Sequence, residues 1–255
     1  MGDDSDERSR PAHPVHVDSF EIGRNEVTNV DYLACVSAGM CTPPHWDDET
    51  CYVYVHPADG AVPMVLPANR RADLLPVTCV TWNQARLFSA WVGGRQPSEA
   101  EWEYAARSRG LDVAFPWGAG PFDCEHASYT GCGLTGPDPV CSHPAGDTTQ
   151  GLCDMIGNAA ELVEDWYHLG HVGAPEDGSS WMEPPGEDRV SRGSAWTSGR
   201  RLYTWSRREV ADRPSDSVGF RVARDVPTAP CQGVRQCGDE NAECTAPEPG
   251  CVLVP

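Results

Sequence analysis

The sequence predicts a loop-rich domain of short helices and small sheets stapled by disulfides, and three observations carry that prediction. Gly 25 and Pro 23 make up nearly a fifth of the 255 residues, a density that interrupts long elements and excludes coiled coils and helical arrays. With 40% hydrophobic and 22% charged residues, the chain can bury one sizeable core, yet no apolar run reaches the roughly 18 residues of a membrane span. Cys 12, an even number, suits an oxidising compartment. An extracytoplasmic location follows as an expectation: secreted, periplasmic or surface-anchored. Met1-Gly2-Asp3-Asp4 lacks the positive and apolar regions of a secretory signal, so a leader is expected upstream of residue 1.

Taken in order, residues 1–12 read as a flexible acidic lead-in. Pro14 to Ile22 alternates apolar and polar residues, the period of a half-buried strand. Thr28 caps a short helix carrying Val30, Tyr32, Leu33 and Val36 and ending at Gly39. Residues 42–75 are rich in Pro and Asp and read as a long loop. Trp82, Ala85, Phe88 and Trp91 share a helical face directed at the core, and Gly93-Gly94 ends that helix. Ser98-Glu99-Ala100-Glu101 is a capping box that opens a helix to about Arg107. Little periodicity follows until strands around 189–194 and 219–224. Four cysteines between Cys231 and Cys251 are too far apart for a zinc pair and read as two disulfides in a small appendix. The domain plan is therefore 1–12, 13–227 and a Cys-rich 228–255.

The formal charge of −19 repels phosphate backbones, so nucleic acid is excluded as a first partner. All 19 basic residues are Arg, which removes Schiff-base and Walker-type lysine chemistry. Gly131-Cys132-Gly133-Leu134-Thr135-Gly136 spells a dinucleotide fingerprint, but with Pro137 and Pro139 after it and no strand before it a disulfide-bounded turn is the better reading. His13 with His16, and His168 with His171, are spaced for metal ligation but lack a third ligand, so packed or solvated imidazoles are expected.

Several segments in order carry a family resemblance: Glu26-Val27-Thr28-Asn29, the run Pro97 to Arg107, Pro116-Trp117-Gly118, Asp154-Met155-x-Gly157-Asn158 with Glu161, Arg192-Gly193, and Gly219-Phe220-Arg221. Over about residues 13–225 the chain resembles the formylglycine-generating enzyme family of sulfatase-modifying factors. The resemblance implies an α+β, C-type-lectin-like fold with short helices and small antiparallel sheets. It also implies copper-dependent oxidation of a sulfatase cysteine, performed by two cysteines shortly after an Arg-Gly-Gly-Ser segment. Here that segment is Arg192-Gly193-Ser194-Ala195-Trp196 and no cysteine follows before Cys231. Ser198 and Tyr203 cannot replace thiolates for Cu(I), so no copper is expected and no catalytic residue is assigned.

The same resemblance implies a calcium loop in which Asp154 and Glu161 give carboxylates and Gly157 and Ala159 give carbonyls, an all-oxygen set that suits Ca²⁺. Ala160 and Leu162 stand where the family usually has Trp, and a second calcium loop near Ala127-Ser128 lacks its usual Asn. Of two functions, a calcium-stabilised binding module is favoured over a formylglycine-generating or other metal-dependent oxidase. Residues 189–213 hold seven Arg against Glu209 and Asp212. Trp196, Arg200, Arg201, Tyr203 and Trp205 are the expected contacts for a protein, peptide or anionic ligand. Arg207 and Arg208 could equally pair with core acids. Sequence neighbourhood pairs Cys35 with Cys41, Cys51 with Cys79, Cys124 with Cys132 and Cys141 with Cys153, with two further bridges among Cys231, Cys237, Cys244 and Cys251.

Overall fold

A computed structural model describes residues 1–199, 202–226 and the backbone of 251–254. Arg200, Arg201, Cys231, Cys237, Cys244 and the side chain of Cys251 lie outside the described residues, so the appendix and its expected bridges do too.

In chain order the elements are β1 (Phe20–Gly23), α1 (Asn29–Ser37), β2 (Tyr52–Tyr54), β3 (Ala61–Pro63), α2 (Trp82–Trp91), α3 (Glu99–Ala106), β4 (Ala160–Trp166), β5 (Arg189–Arg192), β6 (Arg207–Val210), β7 (Val218–Phe220), β8 (Ala223–Asp225) and β9 (Cys251–Val254). They form an α+β, loop-rich fold with three small sheets, ordered β8-β1-β9, β2-β3 and β6-β5-β4-β7. All pairings are antiparallel except β4 with β7, which is parallel and corrects the expectation of antiparallel sheets alone.

All three helices begin where a hydroxyl can cap them. Thr28 accepts from Asp31, Thr81 from Gln84 and Ser98 from Glu101, and in each case the third side chain reaches back to the capping residue's amide. Such reciprocal caps satisfy donors that the first helical turn leaves unpaired. Along α2, Trp82, Ala85 and Phe88 are buried, but Trp91 is 38% exposed at the last turn, contrary to its expected core placement. The α1 and α2 faces meet Val27, Val77, Trp196 and Phe220 in one core, while Trp102 of α3 joins Phe20, Ile22, Met155 and Val190 in a second.

The expected strand over residues 14–22 pairs only from Phe20 onward. His13, Val15 and Val17 are half-buried in alternation, so the stretch is extended, but no neighbouring strand offers it a ladder. The loop expected over 42–75 contains the β2–β3 hairpin. The expected strand at 219–224 divides between two sheets: β7 lies beside β4, β8 beside β1, and Arg221 sits between them. β4 went unread because Glu161 and Asp165 are buried along with Leu162 and Val163. A strand enclosed on both faces, with carboxylates inside, shows no alternation of polarity.

Residues 1–12 were expected as a loose lead-in, yet Ser9 and Gly2 are buried. The Gly2 amide donates to Glu103, and the carbonyls of Arg8 and Arg10 accept from Arg207 and from the His171 amide. Four disulfides join Cys35–Cys41, Cys51–Cys79, Cys124–Cys132 and Cys141–Cys153. The glycine-rich 131–136 stretch holds Cys132 of the third bridge and begins within a single 3-10 turn at Thr130–Cys132.

Candidate functional site

The segment after β5 sets the floor and one wall of a cavity of about 390 Å³. Six hydroxyls line it: Ser191, Ser194, Thr197, Ser198, Ser215 and Ser217. Tyr52 and Tyr54 of β2 face them, and Arg208 of β6 and Arg213 stand at the opening with both side chains exposed. Arg213 lies over the Tyr52 ring at 4.1 Å. Ser194 holds φ +62°, a left-handed conformation that costs a residue with a Cβ more than glycine. It occupies the second glycine position of the Arg-Gly-Gly-Ser pattern, so local strain is retained at the cavity wall.

Beneath the cavity lies a buried ionic support. Trp196 is wholly enclosed, its indole donating to the Asp216 carbonyl at 3.3 Å. Arg70 stacks over that ring at 4.8 Å and pairs with the Asp216 carboxylate, which also accepts from the Tyr54 amide. Burial pushes Asp216 up to about 6 against the opposing pull of Arg70. Trp196, expected as a ligand contact, is thus a core residue that supports the wall. Tyr203 and Trp205 do not line the cavity either: they stack on each other at 4.7 Å, Tyr203 stacks on Phe115 at 5.8 Å, and Arg107 lies over Trp205.

Three of the five described arginines of the basic segment are taken up inside the fold. Arg192 reaches Glu103 at 2.7 Å and Glu99 at 3.3 Å, and Arg207 holds Glu99 through two bonds of 2.6 Å. Burial alone would raise Glu99, but Arg207 and Arg192 hold it below the usual carboxylate value. Arg189 is sandwiched between Trp82 and Trp166 at 3.6 and 3.3 Å. Among the described arginines of the segment, Arg208 and Arg213 remain to act at the surface. Sequence distance hid these pairings, since Arg207 and Glu99 are 108 residues apart.

The expected calcium loop is also buried. Asp154 stands at φ +57° and accepts from the Cys141 amide at 2.6 Å. Glu161 takes Arg221 through two bonds of 2.6 Å and the Trp102 indole at 2.7 Å. Glu26, which sequence reasoning missed, accepts from the Asn158 side chain and the Ala159 amide, both at 2.8 Å. Three carboxylates therefore lie near one guanidinium, which bonds Glu161. Burial first, then Asp154 and Glu161, pushes Glu26 well above its ordinary value, and burial raises Asp154 to about 6. Carboxylates so crowded would be relieved by a divalent cation, and among the described residues Oε1 of Glu161 has Arg221 as its one partner. The side chains alone make no cage: among the described residues, the three side-chain donors that converge within 4.8 Å are Cys141, Cys153 and Asp154, and the two sulfurs are joined. A Ca²⁺ here would depend on the loop carbonyls. Copper fits poorly, because the cavity offers hydroxyls and guanidiniums and all eight described cysteines are in disulfides.

Ser128, His143 and Asp138 also meet, but both Ser128 Oγ and the Asp138 carboxylate face Nε2 of His143, at 2.8 and 3.2 Å. A nucleophile relay needs the acid on the other ring nitrogen, and Ser128 is 1% exposed. The group is a structural knot in which Asp138 raises the His143 imidazole.

Comparison with known proteins gives consistent matches. The Sulfatase-modifying factor enzyme 1-like domain profile matches residues 1–226. The formylglycine-generating enzyme of Mus musculus is 30% identical over 265 residues, covering 86% of this chain and 70% of its own length. The serine/threonine-protein kinase Pkn1 of Chlamydia trachomatis is 31% identical over 233 residues, and the chain spans 35% of that protein. Among solved structures, PvdO from Pseudomonas aeruginosa superposes with a TM-score of 0.71 at 30% identity, covering 89% of this chain and 90% of PvdO.

Proposed function

We propose a function for this chain on one premise: it belongs to the sulfatase-modifying factor enzyme 1-like domain family. It is an extracytoplasmic binding module, calcium-stabilised through Asp154, Glu161 and the carbonyls of Gly157 and Ala159, that takes a polar, anionic, extended peptide-like ligand. The carrying observation is the cavity wall itself, where Ser198 is one of six lining Ser and Thr side chains, with Arg208 and Arg213 at the rim. Hydroxyls accept and donate along a peptide backbone, and exposed guanidiniums select carboxylate or phosphate groups in bidentate fashion. No His or Cys lines the cavity among the described residues, so it offers no soft-metal ligand there, and Glu209 is the carboxylate that lines it. The same scaffold serves proteins with different names, so fold alone does not decide between binding and catalysis.

The test is binding of fluorescent acidic and basic peptides by the intact chain, compared with Arg208→Glu/Arg213→Glu. Acidic peptides should bind more tightly, and the double variant should lose at least tenfold in affinity. Equal binding in both proteins would reject the groove. The competing oxidase reading, favoured by the 30% identity to formylglycine-generating enzyme, would be supported instead if a copper-loaded sample converted a sulfatase cysteine peptide to its aldehyde.

A further inference from the structure

Of the four histidines His13, His16, His168 and His171, two form a pair, but not one that sequence spacing suggests. His16 is exposed beside Asp18 at 3.2 Å. His168 stacks on Trp181, and its two nitrogens reach the carbonyls of Trp166 and Pro184 at 3.1 and 3.0 Å. His13 and His171 instead face each other, with ring centres 5.2 Å apart and planes at 60°. His13 Nδ1 donates to the Pro11 carbonyl at 3.0 Å, which leaves Nε2 as a lone pair. That Nε2 is buried without a partner, and so are both nitrogens of His171, which is 3% exposed. Buried polar atoms left unpaired are uncommon and call for a missing partner.

The ring-centre separation fits two imidazoles on a shared ion. With metal–nitrogen bonds of about 2.0–2.1 Å and each ring centre about 1.1 Å behind its nitrogen, two imidazoles on one tetrahedral ion have centres about 5.1 Å apart. A water bridging them at about 2.8 Å from each nitrogen would spread the centres beyond about 6 Å. A direct hydrogen bond between the rings is not made. The Pro11 contact is also the outer support that metal-bound histidines usually have, a ring N–H tied to a carbonyl. Nearby carboxylates do not compete, since Glu99 and Glu103 are held by Arg207, Arg192 and Arg107.

We propose that His13 and His171 ligate a zinc-class divalent cation, with water completing the tetrahedron, and so pin the N-terminal segment to the loop that follows β4. This site is separate from the cavity and from the Asp154–Glu161 loop, and its oxygen-poor donors select against Ca²⁺.

The test uses the tag-free chain, stripped with chelator and titrated with Zn²⁺ by calorimetry, with Co²⁺ as a spectroscopic substitute. One equivalent should bind, Tm should rise, and Co²⁺ should give the visible absorption of a tetrahedral site. His13→Gln changes a partly exposed residue and should fold, yet lose at least tenfold in Zn²⁺ affinity together with the Tm rise. His16→Gln should bind as the parent does. Zinc binding that survives His13→Gln, or no binding by the parent chain, overturns the assignment.

Discussion

Replacing Arg221 by Met tests whether one buried guanidinium holds two sheets together. Arg221 is fully enclosed between β7 and β8 and grips Glu161 through two bonds of 2.6 Å. Its other N–H groups reach the carbonyls of Gly23, Arg24 and Cys153 at 3.0, 3.2 and 3.0 Å. Met matches the stem but not the charge. Stranding Glu161 beside Glu26 and Asp154 should cost about 3–5 kcal/mol, because a buried charge loses its partner. The Arg24 carbonyl keeps the Cys153 amide, but the Gly23 and Cys153 carbonyls would lose this donor and add about 1 kcal/mol each before relaxation, which places the total at the upper end of that range or above it. At ~2–4 °C per kcal/mol for a chain of this size, Tm should fall by about 10–20 °C. Urea unfolding gives the free energy, and the control is Arg221→Met with Glu161→Gln. Removing both charges should cost at least ~2 kcal/mol less than the sum of the single changes. A single variant within about 1 kcal/mol of the parent, or strict additivity, would refute the account.

Other outcomes follow from the same geometry. Chelator should lower Tm relative to millimolar Ca²⁺, and Glu161→Ala should abolish the difference; superimposed curves for the parent chain would remove calcium from the loop. Non-reducing peptide maps should recover the four bridges from Cys35–Cys41 to Cys141–Cys153, and free thiols at those positions would contradict both the pairing and an oxidising location. Asp165 is raised to about 7, by burial first and then by Glu99. Since the native state holds that proton more tightly than the unfolded chain, its contribution is most favourable below the unfolded value near 4 and is lost as pH rises toward about 7. The stability advantage of the parent over Asp165→Asn should therefore shrink across that window by a few kcal/mol, and parallel pH curves would show that Asp165 is not responsible.

What the sequence made legible was local. The Thr28 and Ser98 caps lie within three residues of the amides they satisfy, and the four bridges span 6 to 28 residues. Those signals need no knowledge of the fold. β4 needed it, because Glu161 and Asp165 become inward residues only once Arg221 and the amides of Glu99 and Trp181 are brought to them. The His13–His171 contact spans most of the chain, and neither histidine's spacing to its sequence neighbour carries that information. The resemblance pointed to Asp154 and Glu161 as an expected calcium loop, but it could not say that Trp196 faces inward or that Tyr203 and Trp205 stack away from the cavity.

The choice of Arg over Lys at all 19 basic positions becomes intelligible from the interior. Arg70, Arg192, Arg207 and Arg221 are each buried and each pair with a carboxylate while donating to at least one backbone carbonyl. A planar guanidinium has five donors for such divided duty, whereas an ammonium has three and is more costly to dehydrate. Small sheets joined by long loops leave many carbonyls without strand partners, and these side chains supply the missing donors. The consequence reaches function: among the described arginines of residues 189–213, Arg192 and Arg207 are taken up by core carboxylates and Arg189 by tryptophan faces. For the anionic ligand proposed at the hydroxyl-lined cavity, Arg208 and Arg213 are the cations of this segment that stand at the surface among the described residues, and their replacement should alter binding and salt dependence with little effect on folding, because both side chains already stand in water.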